Sequence, residues 1–251
     1  MSFSTIINNG KGGTESHPLR YWLFSWDSKS ISHAESFPLL CPSSNSQVGA
    51  NDIVFACFKL ERIDNTALYQ LVLKKERGLI EELPVGSQID GGNGLGKDSL
   101  TARFEAYNFL DFDEQCVTDL LIYIQECCRI YGNILRLSTR RGFIQCWANV
   151  MRPGQGMSKH QHMDTSDSFL SGIITVCTRP TKTILFHHQD ETLAAEFPTN
   201  EGYLLLFPAY LPHGVTKLPE GENERVTIAF DLFVESKARS FHKRPLKELE
   251  Y

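Results

Sequence analysis

The sequence predicts a mainly β fold with flanking helices, a sandwich or jelly-roll barrel, and three observations carry that expectation. After Gly132 the chain breaks into short β-like runs. Turn residues punctuate them, with Pro153, Gly154, Gly156, Pro180, Pro208, Pro212 and Pro219 between or at the ends of the runs. No helix-spaced segment interrupts that half, and many short strands without intervening helices belong to sandwiches and barrels.

The elements follow in order. "NTALYQLVLKKERGLIEEL", from Asn65, has helical spacing, with Asn65 as the expected cap and Gly78 as a weak point. "VGSQIDGGNGLGKDSLTARF", residues 85–104, is glycine-rich and polar, and long loops of this kind in compact domains are often functional. We expect it to cover the mouth of the barrel, with Asn93, Ser99 and Arg103 reaching over it. Its "GGNGLG" lacks the order G-x-G-x-x-G and a strand-to-helix context, so a dinucleotide site is not indicated. "DEQCVTDLLIYIQECCRIYG" is a stronger helix: Asp113 can cap it, Val117, Leu120, Leu121 and Ile124 form an apolar stripe, and Gly132 can end it. The expected strands are "GFIQCWANVM", "SFLSGIITVC", "TKTILFHH", "GYLLLFP" and "ERVTIAFDLFV". With no evident linker, residues 1–251 are expected to form a single domain. Residues 1–140 would supply helices, some strands and substrate loops packed on a β core spanning 141–235.

Composition narrows the function classes. At 251 residues, 41% hydrophobic and 22% charged, the chain reads as an ordinary soluble globular protein. A net charge of -5 argues against a general nucleic-acid or anionic-membrane binder, which would present a basic surface. The start "MSFSTIINNGKGGTES" has neither a basic end nor an apolar run, so no signal peptide is expected, and no apolar stretch is long enough to span a bilayer. Seven cysteines at irregular positions, without a C-x-x-C pair, point to buried thiols in a reducing, cytoplasmic compartment. The expected partner is a small-molecule substrate, with no nucleic acid and no membrane. The sequence leaves the oligomeric state open.

The chemistry starts at "SKHQHMDTSDSFLSG". His160, His162 and Asp164 alternate, so an extended backbone sends all three side chains to one face. An isolated H-x-D is a weak signal, because histidines cluster by chance in polar segments. Context strengthens it. His213 follows a strand and a Pro-containing turn in "LLLFPAYLPHGV", and Arg225 and Thr227 share one face of the next strand. Two imidazoles and a carboxylate form the facial triad of non-haem Fe(II) oxygenases. Three positions on the metal then remain, enough for a chelating 2-oxo acid and O2. The far carboxylate of such an acid calls for a permanently charged, planar partner, which suits Arg225.

"CWANVMRPGQGMSKHQHMDTSDSFLSGIITV" and "GYLLLFPAYLPHGVTKLPEGENERVTIAF" resemble the Fe(II)/2-oxoglutarate-dependent oxygenase superfamily. The match is to its W-x-N, H-x-[DH], L-S-G, L-F-P-x-x-L-x-H-x-V and E-R-x-[ST]-I-x-F pattern. It covers roughly residues 143–234, and the distal segment is its most specific part. The resemblance implies a double-stranded β-helix that uses Fe(II), 2-oxoglutarate and O2. Its reaction would release succinate and CO2 while hydroxylating a substrate C–H bond, most simply in a small polar metabolite such as an amino acid or a natural-product intermediate.

The family pattern allows Asp or His at the second position, so two ligand sets stand. Charge and register favour His162, Asp164 and His213; the alternative is His160, His162 and His213. In the first set His160 faces substrate or solvent. Asn149, two residues from Trp147, can bind the near carboxylate of the 2-oxo acid, and Thr227 can add a hydrogen bond beside Arg225. Arg152, Asn93 and Arg103 are candidate substrate contacts. His188-x-Asp190 has the same spacing, but no suitably flanked distal histidine follows it. Two other functions remain, a cupin-like metal-binding protein and a metalloenzyme that needs no 2-oxo acid. A protein side chain is the alternative substrate.

Overall fold

The computed structural model describes residues 4–6, 19–26, 53–86, 92–135, 141–162, 168–190, 192–233 and 247–251. In chain order these give β1 (Ser4–Ile6), β2 (Leu19–Trp26), β3 (Ile53–Leu60), α1 (Asn65–Glu82), α2 (Gln115–Ile134), β4 (Arg141–Met151) and β5 (Met157–His160). Then follow β6 (Ser168–Thr175), β7 (Lys182–Phe186), β8 (Ala194–Pro198), β9 (Tyr203–Pro208), β10 (His213–Val215), β11 (Arg225–Phe233) and β12 (Lys247–Glu250). The large sheet runs β1-β2-β3-β9-β6-β11-β4-β12, and the small one β5-β10-β7-β8. All pairings are antiparallel. The expected mainly β architecture with flanking helices is the observed one, and the two sheets face each other as a jelly roll.

Parity decides what each face of the large sheet does. On β11 every residue is buried, so both faces are covered. Val226, Ile228, Phe230 and Leu232 join the main core with alternate residues of β3, β4 and β9 and with Leu120, Ile124 and Cys127 of α2. Their neighbours Arg225, Thr227, Ala229, Asp231 and Phe233 point the other way and line a cavity between the sheets. Farther along that inner face, Trp26, Phe55, Leu205 and Phe207 pack against Leu185 and Ala195 of the small sheet. The Phe230 ring of β11 lies across its register partner Gly172 on β6, where a Cβ would sit 2.2 Å from that ring. Tyr131 donates its hydroxyl to Val54 O at 2.7 Å, which pins α2 to the sheet.

The helices differ from expectation at their ends. Asp64, rather than Asn65, caps α1 by accepting from Ala67 N at 2.9 Å. Gly78 is carried through the helix interior. At α2 the cap position is Glu114, with no side-chain cap bond, and the helix continues past Gly132 to Ile134. Gly132 is buried there, so packing overrides its weak helix preference. No helix among the described residues is long and apolar enough to cross a membrane.

Candidate metal centre and co-substrate cavity

The site is built where the small sheet closes over the inner face of the large one. His160 ends β5, His213 begins β10, and the two are direct register partners. His162 lies two residues beyond His160. The three imidazoles gather with ring centroids 4.3 Å (His160–His213), 4.8 Å (His162–His213) and 5.4 Å (His160–His162) apart. One nitrogen from each lies within 4.8 Å of the others, and among the described residues this is the one group of three or more potential metal ligands. Asp164, the carboxylate of the first ligand set, lies outside the described residues.

The hydrogen bonds at the back of each ring fix its protonation. His160 Nδ1 meets Ser158 O at 2.8 Å, and His213 Nδ1 meets Leu211 O at 3.1 Å. Carbonyl oxygens only accept, so each Nδ1 carries the proton. His162 Nδ1 donates to Asp231 Oδ1 at 2.8 Å, an oxygen that also accepts from Ser171 Oγ at 2.6 Å. With Nδ1 protonated, the neutral form of each ring carries its lone pair on Nε2, the atom that can bind a metal. A carboxylate behind a histidine is the arrangement that orients and strengthens metal-bound imidazole. Burial, with His160 and His162 close by, holds the His213 imidazole well below its ordinary pKa, so that ring resists carrying a second proton in place of a metal. The donor set fits a divalent transition metal.

A cavity of about 150 Å³ runs from these rings along the inner face. At its other end sits Arg225, 1% exposed. Its guanidinium reaches Thr183 Oγ1 at a long 3.4 Å, while Nε has no hydrogen-bond partner among the described residues. Burial alone pushes its pKa down to about 10, and no described carboxylate forms an ion pair with it. A buried, unpaired guanidinium is costly and suits an anionic ligand. Thr227 and Asn149 are directly opposite each other on β11 and β4, and both line the cavity. Asn149 Oδ1 accepts from Thr101 Oγ1 at 2.6 Å, so its amide Nδ2 is the group left to donate.

The remaining sequence candidates have definite places. Asn93 lines the cavity, 1% exposed, and its backbone O accepts from Ser158 N at 2.9 Å, joining the glycine-rich loop to the strand that carries His160. Of the loop's described residues, 85–86 and 92–104, Gly92, Asn93, Thr101 and Phe104 line the cavity, whereas Ser99 does not and donates its hydroxyl to Gly96 O at 2.7 Å. Arg103 does not line it. Its guanidinium binds Lys97 O, Ser99 O (3.2 Å) and Ile80 O (3.1 Å), holding the loop to α1. Arg152 is exposed and pairs with Glu76 at 2.6 Å, also away from the cavity. Trp147 is buried and lines the cavity beside His162, with ring centroids 5.7 Å apart. Asp190 turns to its own loop, accepting from Thr192 N and Oγ1, rather than toward His188.

Asp231 and Ser171 were not singled out in the sequence. The signal that finds Asp231 is parity, because it lies six residues after Arg225 and so on the same face of one strand.

No protein-family profile matches the chain, and no curated protein sequence does. Solved structures do. A prolyl hydroxylase from Trichoplax adhaerens, in complex with a hypoxia-inducible-factor oxygen-degradation-domain peptide, superposes with a TM-score of 0.50 at 16% identity, over 74% of this chain and 86% of that one. A Pseudomonas putida prolyl-4-hydroxylase gives 0.49 at 14% identity, over 68% and 86%. An oxidoreductase of the 2OG-Fe(II) oxygenase family from Burkholderia pseudomallei gives 0.39 at 16% identity, over 53% and 59%. The likeness to the Trichoplax prolyl hydroxylase shows the fold: two antiparallel sheets facing each other as a jelly roll.

Proposed function

We propose that this chain is an Fe(II)- and 2-oxoglutarate-dependent dioxygenase that hydroxylates a C–H bond of a small polar metabolite. The observation that carries the reading is one cavity with three imidazoles gathered at one end and, at the other, a buried guanidinium that has no carboxylate partner among the described residues. When bound, ferrous iron and 2-oxoglutarate supply the oxidising power of O2, with succinate and CO2 as co-products.

The chain's own residues do the positioning. His162 and His213 hold the metal in either ligand set, and the geometry favours His160 as the third ligand. Asp231 holds the proton on His162 Nδ1 and so keeps Nε2 available. Arg225 takes the far carboxylate of 2-oxoglutarate, with Thr227 Oγ1 and Asn149 Nδ2 beside the co-substrate. Trp147, Ile173 and Ala229 wall the cavity against water. The cytoplasm is the proposed compartment.

The test is succinate release from purified protein supplied with Fe(II), ascorbate and 2-oxoglutarate, together with metal content by mass spectrometry. His162→Ala and His213→Ala should lose the metal. His160→Ala should lose it while Asp164→Ala retains it; the reverse result would restore the His162, Asp164, His213 set. One observation favours a second reading: a three-imidazole donor set also serves metalloenzymes that need no 2-oxo acid. Metal-loaded protein that fails to bind 2-oxoglutarate in calorimetry would decide for that reading or for a cupin-like binder.

A further inference from the structure

One side chain closes the far end of the cavity. There the strand register sets Arg225 opposite Met151 on β4, and Val215 opposite both Thr183 on β7 and Met157 on β5. Met151, Val215 and Leu218, with Met157 against them, form a small apolar cluster apart from the main core. Its remaining member, the buried Leu95, comes from the glycine-rich loop. On one side Leu95 thus meets Met157 and Val215, which line the cavity. On its other side it lines a groove of about 680 Å³ together with Ile80 of α1, Lys97 and Arg152. Arg77 and Lys97 on the groove wall have exposed side chains, so the groove opens to bulk water. Leu95 is the partition between that water and the Arg225 compartment.

The loop is built to let this residue move. Beyond it the backbone is locked: Gly96 O accepts from Ser99 N at 3.2 Å and from Ser99 Oγ at 2.7 Å, and Arg103 holds the carbonyls of Lys97 and Ser99. Before it, Asn93 O accepts from Ser158 N at 2.9 Å, and Asn93 Oδ1 accepts from Leu95 N at 3.1 Å. Gly94 and Gly96, on either side of Leu95, have φ of +83° and +88°, where only glycine is at ease. Such positions absorb the backbone rotation of a hinge. On the proposed function, the far carboxylate of 2-oxoglutarate sits at Arg225, and a substrate over the metal covers the other end. We propose that Leu95 is a gate. Its withdrawal from Met151, Met157 and Val215 joins the cavity to the groove, so that 2-oxoglutarate enters and succinate leaves past Arg225 while the metal end stays covered.

The inference rests on the proposed function, and its test separates the two. Protein loaded with Mn(II) under nitrogen is mixed with radiolabelled 2-oxoglutarate, and rapid filtration, with and without a chase of unlabelled 2-oxoglutarate, gives both rates. A gate acts on entry and exit together and leaves their ratio alone. Leu95→Ala should raise both rates about tenfold or more, because the truncation removes most of the packing that seats the tip, with Kd within about threefold. Leu95→Met, which conserves volume, should keep them near native. Gly96→Ala is the second probe. Its Cβ meets nothing within 4 Å, so it strains only the closed backbone and should also speed both rates. Lys97→Glu on the groove wall should slow association about twofold or more at low salt, an effect that salt erases. Retained Mn(II) affinity certifies each fold, and Gly96→Ala decides if Leu95→Ala fails that check. Rates within twofold of native in the folded gate variants overturn the inference while the oxygenase reading stands. So does a change confined to dissociation, or a Lys97→Glu association rate equal to native at low salt. Protein that binds no 2-oxoglutarate in any form overturns both.

Discussion

Asp231→Asn isolates the carboxylate behind His162. In the native chain one buried oxygen, Oδ1, accepts His162 Nδ1 at 2.8 Å and Ser171 Oγ at 2.6 Å. Asparagine has nearly the same shape, so packing on β11 is retained and the changed quantity is the hydrogen bond. A bond to a charged acceptor contributes about 1.5–3 kcal/mol and a neutral one about 0.5–1.5 kcal/mol. The loss at His162 is therefore about 1–1.5 kcal/mol, or roughly tenfold in metal affinity. If the amide settles with its NH2 toward the ring, the preferred tautomer is lost as well, and the effect moves toward the roughly 100-fold end of the range for such outer partners. The assay is competition for Zn(II) and for Fe(II) against a chromophoric chelator, with a urea melt to confirm that the variant is folded. Affinity within twofold of the native protein, in a background where His162→Ala abolishes binding, would refute the assignment of Asp231 as the group that orients His162.

Arg225→Met should weaken 2-oxoglutarate binding by about 30-fold or more without changing metal affinity, since truncating one member of a buried charged pair costs 2–5 kcal/mol. Calorimetry on metal-loaded protein reads it. The same variant should leave the ligand-free protein as stable as the native one, or more stable by about 1–4 kcal/mol, because it removes a buried charge that has no carboxylate partner among the described residues; thermal melting checks this. Gly172→Ala places a methyl 2.2 Å from the Phe230 ring and should destabilise by about 1–3 kcal/mol or more, with partial rescue by Phe230→Leu in urea unfolding. Arg103→Ala frees three carbonyls and should make residues 92–104 cleavable by protease while the β core resists. Glu224 has its pKa held below the ordinary value, chiefly by the Tyr69 hydroxyl bond, so it stabilises the fold above the unfolded carboxyl's pKa and loses that contribution as pH falls; Tyr69→Phe should flatten the acid limb of a stability–pH curve.

Legibility in the sequence followed burial pattern. β4, β6, β9 and β11 announce themselves because both faces are covered and their residues run nearly continuously apolar between turn signals. The same continuity hid β2 and β3. "LRYWLFSW" and "IVFACFKL" look like buried apolar runs of no definite type, and β3 finds its partner β9 nearly 150 residues later, a pairing no local window contains. β5 and β10, with four and three residues, are too short to show alternation, yet their pairing is what sets His160 against His213. Arg225 and Thr227 were readable from strand parity. Asp231 was readable by the same count, but what makes it matter is His162, 69 positions away, and that contact belongs to the folded sheet. The choice between Asp164 and His160 rested on charge and register in the sequence. The pairing of β5 with β10 and the bond from His160 Nδ1 to Ser158 O support His160 as a ligand, while Asp164 lies outside the described residues.

Two features of the cavity are hard to explain as packing alone, and they are of opposite polarity. Three neutral imidazoles with Nδ1 engaged present three lone pairs to one another, an arrangement that repels unless something electropositive shares it. A buried guanidinium with no carboxylate partner among the described residues carries a desolvation cost of several kcal/mol, which an alternative apolar residue would avoid. A core selected only for stability would keep neither. A metal-binding protein with no second ligand would need the imidazoles but not Arg225, and a 2-oxo acid carrier would need Arg225 but not the imidazoles. Only a ligand that is chelated by a cation at one end and carries a carboxylate at the other relieves both costs at once. That requirement, more than the shape of the barrel, is what supports the proposed oxygenase reading.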